Sequence, residues 1–301
     1  KWIHKLRYEC GTSMNREIKV LHLESTNVCQ AACPLCARET NLVFNKNIKN
    51  HLRIDQLLEN FDDNAIAKLD KVFMCGNYGD PVAGKNTLDI LKYVRNINPS
   101  ITLGINTNGA LQTTAWWSEV GKLFNNPTDY VVFSIDGLED TNSIYRVNVI
   151  WEKVMNNARA FINAGGSAHW DMLVYKHNQH QVESAEQLSR DMGFSWFRAK
   201  VSKRTPIAGL EQPDDWADPL PNTGPIKCHV LNEQSAYIDA QGRLYPCCWL
   251  GNSLDVLISD ISEVEKTWNT DNPNPTCKEA CSTSNSISRF KDQWRKEIQL
   301  K

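Results

Sequence analysis

No stretch of this 301-residue chain approaches the roughly 18 consecutive apolar residues of a membrane-spanning helix, and none is repeated or of low complexity. Those absences argue against a membrane span and against a solenoid. A charge of one sign is missing too. Lys and Arg number 33 against 35 Asp and Glu, a net charge of −2, so no global field draws the chain to nucleic acid or to anionic lipid. The opening Lys1-Trp-Ile-His-Lys-Leu-Arg7 has no apolar h-region, which leads us to expect no secretory signal. Ten cysteines without an export signal suggest a reducing, cytoplasmic setting, where thiols serve metals or catalysis more often than disulfides.

What is present is a cluster of thiols. Cys29, Cys33 and Cys36 form a C-x3-C-x2-C loop within Glu24–Arg38. Three thiolates fall one short of a closed four-ligand site, and an iron–sulfur cluster held by three Cys leaves one iron open to an outside ligand. Structural zinc is the competing reading, although zinc prefers four ligands in a closed set. The nearest further cysteines are Cys10 and Cys75; the second lies on an expected inner strand and reads as core.

Through the first two thirds of the chain, strand and helix patterns alternate. Strands are expected at Lys19–Leu23, Lys71–Met74, Ile101–Asn106, Tyr130–Ile135, His169–Tyr175 and Ser195–Val201, all rich in strand formers. Helices are expected at Ile54–Phe61, Thr87–Asn96, Ala115–Phe124, Trp151–Ala164 and Val182–Met192, where apolar residues recur on one face, as at Ile90, Leu91 and Val94. This alternation means an α/β protein with a parallel sheet, and six strands fit a partial (β/α)6 barrel of TIM type. A polar or glycine-rich cluster follows each of the first five strands: the cysteine loop, Cys75–Pro81, Asn106–Gly109, Ser134–Gly137 and Lys176–Asn178. Sites in such folds lie at the carboxyl ends of the strands. Each cluster alone is also an ordinary turn signal.

The boundaries expected are an extension at 1–17, a barrel at 18–205, a Pro-rich linker at 206–225, a cysteine-rich unit at 226–287 and a C-terminal helix at 288–301. In the cysteine-rich unit, Tyr237–Tyr245 reads as a hairpin turning near Gly242, and a helix is expected around Ile261–Trp268. Phe290, Trp294 and Ile298, at helical spacing, suggest the last helix. Cys228, Cys247, Cys277 and Cys281 make a complete set of four, for which zinc and iron–sulfur are both open on composition. Lys200, Lys203 and Arg204 read as a solvated basic edge, and Trp116–Trp117 as packing.

These motifs, in this order over about residues 18–201, resemble the radical S-adenosylmethionine (SAM) superfamily. Gly76–Pro81 resembles its glycine-rich segment, with Asp80 in place of the usual Glu. Asn106–Gly109 is similar to its TNG strand end, and Ser134–Gly137 with Tyr145-Arg146 to its S-x-D-G and Y-R pattern. The remainder resembles the shortened SPASM module called a twitch domain. The resemblance implies a SAM-binding 4Fe–4S cluster on Cys29, Cys33 and Cys36, and one auxiliary 4Fe–4S cluster on Cys228, Cys247, Cys277 and Cys281. It implies SAM contacts from Gly76, Tyr78, Gly79, Asp80, Asn106, Ser134, Asp136, Arg146 and Asn178, with Asp80 receiving the ammonium and Arg146 the carboxylate. The implied reaction is reductive cleavage of SAM to a 5′-deoxyadenosyl radical that takes hydrogen from a peptide, sugar or nucleotide. A flavodoxin or ferredoxin would supply the electron. Cys248 would face away from Cys247 in an extended segment and is the candidate hydrogen donor or acid–base, against the plainer reading of a buried, inert thiol. The alternative for the whole chain is a non-catalytic zinc or iron–sulfur scaffold.

Overall fold

A computed structural model of the protein describes residues 17–202, 204–215, 224–251, 261–282 and 294–301. The extension with Cys10, Lys203, the second half of the Pro-rich segment, Asn252 and the first part of the expected last helix lie outside the described residues.

Six strands follow one another in chain order: β1 (Val20–Leu23), β2 (Lys71–Met74), β3 (Thr102–Thr107), β4 (Tyr130–Ser134), β5 (Ala168–Val174) and β6 (Trp196–Val201). Each pairs in parallel with the next, as right-handed βα units require. The connecting helices lay their apolar faces on one side of the sheet. Ile90, Leu91 and Val94 are buried from Thr87–Ile97, Trp117 and Val120 from Thr114–Leu123, and Val154, Ala158 and Phe161 from Trp151–Asn163. They meet Leu103, Ile105, Val131 and Phe133, the outward residues of β3 and β4, in one continuous core. The inner face carries His22, Phe73, Asn106, Tyr130, Ser134, His169, Asp171, Arg198 and Lys200 by strand alternation. Cys75 at the end of β2 and Lys200 on β6 lie within electrostatic reach of one another. The sheet therefore curls, bringing strands four places apart to face across its inner side.

Three strands extend this sheet beyond the six. β7 (Ser235–Ile238) pairs in parallel with β1, β8 (Leu244–Tyr245) returns antiparallel to β7, and β9 (Trp294–Gln299) pairs antiparallel with β6. The order is β8-β7-β1-β2-β3-β4-β5-β6-β9. The hairpin turns where expected, with Gly242 at φ +81°, a conformation that glycine adopts without Cβ strain. It is not self-contained, however. A two-stranded hairpin is marginal alone, and β1 offers an open edge that β7 fills.

The C-terminal helix is corrected outright: residues 294–299 are a strand. An i, i+4 spacing of apolar residues is shared by helix and strand, and the open edge of β6 decides between them. Phe197 faces Ile298 across the pair, and Lys296 bonds to Glu186 on the helix Val182–Met192. The described part of the Pro-rich segment is docked as well. Leu210 is buried, the Lys176 amide donates to the Glu211 carbonyl at 3.0 Å, and Gln179 Nε2 donates to Asp214 at 2.6 Å. Lys200 is no solvated edge, since it is sunk into the inner face, where burial holds its ammonium below the ordinary range.

Removing residues 294–301 should bare the β6 edge. The expected result is a lower thermal midpoint and concentration-dependent association in light scattering. An unchanged midpoint with a monodisperse protein would contradict the pairing.

Candidate active site

The cysteine loop leaves β1 through Glu24–Val28, and the glycine loop leaves β2 through Cys75–Asp80. The two loops touch backbone to backbone. A Cβ on Gly79 would stand 1.9 Å from the Thr26 carbonyl oxygen, and one on Gly76 would stand 2.0 Å from that of Gly79. Both glycines are thus required by contact within the protein: a side chain at 79 would force the two loops apart, and one at 76 would break the turn of the glycine loop itself. Glu24 seals the contact. Its Oε1 accepts the Tyr78 and Gly79 amides at 2.7 and 3.0 Å, and its Oε2 bonds to the Tyr237 hydroxyl on β7. Arg38, on the short helix Ala37–Thr40 after Cys36, donates to the carbonyls of Asn27 and Tyr78. Tyr78 itself stacks on Phe44 at 4.3 Å and accepts from Asn41.

Asp80 is the next fastening. Oδ1 accepts from the Val82 amide at 3.1 Å and the Thr107 hydroxyl at 2.7 Å; Oδ2 accepts from the Asn108 amide at 2.8 Å and its side-chain amide at 2.6 Å. A carboxylate has about four acceptor positions, and all are filled here. Asp80 therefore binds the β2 loop to the β3 end, which leaves no acceptor position on it for an ammonium. Asn178 is likewise committed: its amide donates to the carbonyls of Asp136 and Leu173, and its Oδ1 accepts the Tyr175 amide. Asp136 accepts from Arg146 Nε at 2.6 Å and from the Leu173 amide at 2.6 Å. Arg146 also points a terminal nitrogen at Cys33 Sγ, 3.9 Å away. Burial pushes the Cys33 thiol up, and the guanidinium opposes that shift by favouring the thiolate that a metal centre needs.

The other expected contacts have more room. Asn106 Oδ1 is buried on the inner side of β3 with no hydrogen-bond partner, and both ring nitrogens of His177, just after β5, are buried in the same condition. Buried polar atoms of this kind mark places where a ligand or water completes the bonding. Ser134 is half-buried at the end of β4.

Cys29, Cys33 and Cys36 lie within each other's electrostatic range, and burial pushes the Cys29 thiol up to about 12, with the Asp80 charge adding to it. Asn108 Nδ2 approaches Cys29 Sγ at 3.8 Å. Among the described residues, no three His, Cys, Asp or Glu side chains converge on a single ion position. The ligands of a cluster sit on separate irons and need no such point.

The second group also assembles. Cys228, Cys247 and Cys277 belong to one small apolar cluster with Leu250, Ile261, Val264 and Trp268, and Cys281 acts on both Cys247 and Cys277. The Leu250 amide points at Cys247 Sγ, 3.5 Å away, and Asn274 caps the helix Pro275–Cys281. Trp268 Nε1 is buried next to Cys277 and favours the charged form of that thiol, against burial. A thiolate-rich centre would give that N–H an acceptor. Cys248 opens a short helix, Cys248–Gly251, and so is not extended. Its thiol lies within electrostatic range of Cys247, Cys75 and Tyr237, while that of Cys247 lies within range of Cys277 and Cys281. Cys75 is half-buried on the inner side and not sealed in the outer core.

Sequence reasoning passed over Glu24, Asn108 and Tyr237. The available signal was an acid at the very end of an apolar strand, where burial leaves a carboxylate in need of donors.

Comparison with known proteins agrees with this geometry. The family model described as the radical SAM superfamily matches residues 23–188. Among solved structures, Streptococcus suis SuiB bound to S-adenosylmethionine aligns with a TM-score of 0.56 and 13% identity, over 80% of this chain and 63% of that one. SuiB bound to its precursor peptide SuiA aligns with a TM-score of 0.58 and 14% identity, over 85% and 65%. The structure of anSMEcpe with bound AdoMet aligns with a TM-score of 0.54 and 13% identity, over 78% and 75%. At these identities the likeness is one of fold: an α/β protein with a parallel-strand sheet, like these partial barrels. The chain spans less than two thirds of the SuiB chains. No curated protein matches it in sequence.

Glu24 supplies a test within this site. Burial raises its carboxyl from 4.5 to about 7, overcoming the hydrogen bonds of Tyr237, Tyr78 and Gly79 that favour the charge. Between those values the folded protein holds a proton that the unfolded chain has released. Stability from this group is therefore full below pH 4.5 and is lost as the pH rises through about 7. Glu24→Gln keeps the shape and the neutral state. In urea unfolding it should gain on wild type by about 3 kcal/mol between roughly pH 4.5 and pH 8. A difference that does not vary with pH would remove Glu24 as the proton carrier.

Proposed function

We propose, on the premise that the chain belongs to the radical SAM superfamily, that it is an enzyme using two 4Fe–4S clusters to modify a peptide or small molecule. Family membership implies an enzyme with SAM and one 4Fe–4S cluster, and it does not favour a non-catalytic metal scaffold. The observation that carries the finer reading is the meeting of three thiols with the Asp80, Asn108 and Arg146 network at the strand ends.

Cys29, Cys33 and Cys36 would hold the first cluster. SAM and this cluster, when bound, supply a 5′-deoxyadenosyl radical that takes hydrogen from the substrate. The chain's own residues do the rest. Glu24 and Arg38 hold the glycine loop on the cysteine loop, and Asp80 ties both to β3. Arg146, steadied by Asp136, stands at Cys33 as a fixed cation and offers its remaining donors to a carboxylate. Asn106 on the inner side and His177 after β5 keep buried, unmet hydrogen-bonding capacity, which suits the polar groups of SAM or substrate. Asp80, with its acceptors filled, acts as a fastening and not as the ammonium site.

Cys228, Cys247, Cys277 and Cys281 would hold the auxiliary cluster, closed by four ligands. The buried N–H of Trp268 and the Leu250 amide support this over a bare apolar knot. Cys248, within electrostatic range of Cys75 and Tyr237, would give a hydrogen atom or a proton to a substrate lying on the inner face. Peptides come first among substrates, because SuiB and anSMEcpe, which share the fold, have been solved with peptides bound. Among the described residues no helix is long and apolar enough to cross a membrane, and a reducing cytoplasm with a flavodoxin or ferredoxin as electron donor suits the chemistry.

Anaerobic reconstitution tests the reading. It should yield about eight irons per chain and release 5′-deoxyadenosine from SAM under reduction. Cys29→Ala should abolish that release, whereas Cys277→Ala should lower the iron content by about half and leave uncoupled SAM cleavage. Stoichiometric zinc without SAM cleavage would refute the enzyme. Equal loss of cleavage in both variants would refute separate roles for the two thiol groups.

A further inference from the structure

A cleft of about 370 Å³ opens where residues 49–56, residues 85–86 and the hairpin turn at 240–241 meet. No cysteine lines it. Its volume is at the low end of the roughly 300–1,000 Å³ of small-molecule sites, which are mostly apolar. This one is not. Lys49, His51, Arg53 and Lys85 line it, Ala240 is the one apolar side chain among the described lining residues, and none of them is a carboxylate. Arg53 is offset in part: its Nε and Nη2 hold Asp55 at 2.9 and 2.7 Å, which leaves Nη1 for another partner. Lys49 and Lys85 stand in no ion pair among the described residues. Burial, then the charges of Lys85 and Lys49, hold His51 below its ordinary value, so both ammonium groups lie within electrostatic range of that ring.

A neutral donor is unmet in the same place. Asn50 lines the cleft, and its Nδ2 is buried without a hydrogen-bond partner. A buried donor in this state marks a point where something else completes the bonding. The Asn50 backbone is pinned, its amide donating to Asn27 Oδ1 at 2.8 Å and its carbonyl accepting the Thr26 hydroxyl at 2.8 Å. His51 uses Nδ1 within the protein, 2.9 Å from the Thr26 hydroxyl and 3.4 Å from the Lys85 amide, so a ligand would meet Nε2. The positive end of the helix Thr87–Ile97 adds to the field. Its N-cap residue Asn86 lines the cleft without capping the helix, because its side-chain amide donates to the Leu52 carbonyl at 2.9 Å. Asp89, the acid of that first turn, is not in the lining.

We propose that this cleft binds a small anion with two linked phosphates, of the pyrophosphate or nucleoside diphosphate class. Cations and amide donors suit phosphate oxygens. The lining has no Phe, Tyr or Trp on which a base would stack, so recognition falls on the phosphates. The hairpin turn is one wall of the site: Gln56 Nε2 donates to the Gln241 carbonyl at 3.1 Å, and Asn60 Nδ2 to the Gly242 carbonyl at 2.9 Å. A bound diphosphate would strengthen this junction between the barrel and the strand that leads to Cys247. None of these residues is a proposed cluster or SAM ligand, so the inference stands apart from the radical SAM reading.

The test titrates the full chain with pyrophosphate and with ADP at constant ionic strength, read by calorimetry and by the thermal midpoint. At least one of them should bind and raise the midpoint; tighter binding of ADP assigns an organic diphosphate, and tighter binding of pyrophosphate the inorganic one. Lys49→Gln/Lys85→Gln should weaken that binding by about tenfold or more, and Asn50→Ala by about fivefold, with unliganded midpoints near that of wild type. Lys122→Gln/Lys153→Gln removes the same charge from exposed positions outside the cleft and should bind as wild type does. An equal loss in that control would overturn the site. Undiminished binding in Lys49→Gln/Lys85→Gln would do the same, as would a wild-type protein that answers neither diphosphate with heat or a midpoint shift.

Discussion

The close approach of two loops underlies the rest of this molecule. The β2 loop can lie on the β1 loop only because residue 79 has no side chain, and it can turn there only because residue 76 has none. Once that contact is made, the buried carboxylate of Glu24 finds two amides to satisfy it, Arg38 finds two carbonyls, and Asp80 reaches β3. The bonds of Glu24 to the Tyr78 and Gly79 amides and of Arg38 to the Tyr78 carbonyl cross between the loops and would be lost if the loops separated. The thiols are held by consequence: Asn108 reaches Cys29 because Asp80 holds Asn108, and Arg146 reaches Cys33 because Asp136 holds Arg146.

The barrel was legible because its signals are local. Runs of Val, Ile and Phe bounded by Gly and Asn marked β1 to β6 to within a residue or two, and the apolar faces of the connecting helices were visible in their spacing. The edges were not legible. Whether Trp294–Gln299 becomes helix or strand depends on an open edge some hundred positions earlier at β6, and whether the hairpin stands alone depends on β1. At the site, the cysteines and strand-end motifs stood out by composition. The partners of Asp80 and Asn178 could not, because a turn residue that faces a ligand and one that ties loops together look the same in sequence. Glu24 needed knowledge of burial, and Asn108 needed knowledge of which of two asparagines faces Asp80.

The two thiol groups are physically joined. Glu24 bonds to Tyr237 on β7; Asn77, in the glycine loop, donates to the carbonyl of Cys248 at 2.8 Å and lies 3.4 Å from the Tyr237 hydroxyl. The four-cysteine unit therefore touches the glycine loop through fixed polar contacts as well as through the β1–β7 ladder. The inner face of the barrel, with Lys200 and Asp171, and Tyr237 from the later part of the chain thus belong to one bonded structure.

The pairing of β7 with β1 also has a consequence for how the protein is made. Val20 lies opposite Ser235 and Leu23 opposite Ile238, so the strand that carries the first cysteine loop stays uncovered on one edge until more than two hundred further residues have left the ribosome. Long-range pairing of this kind forms late. During that interval Glu24, at the root of the loop that carries Cys29, Cys33 and Cys36, lacks its bond from Tyr237. The fastening at the start of the first thiol loop is thus completed by a strand from the far part of the chain.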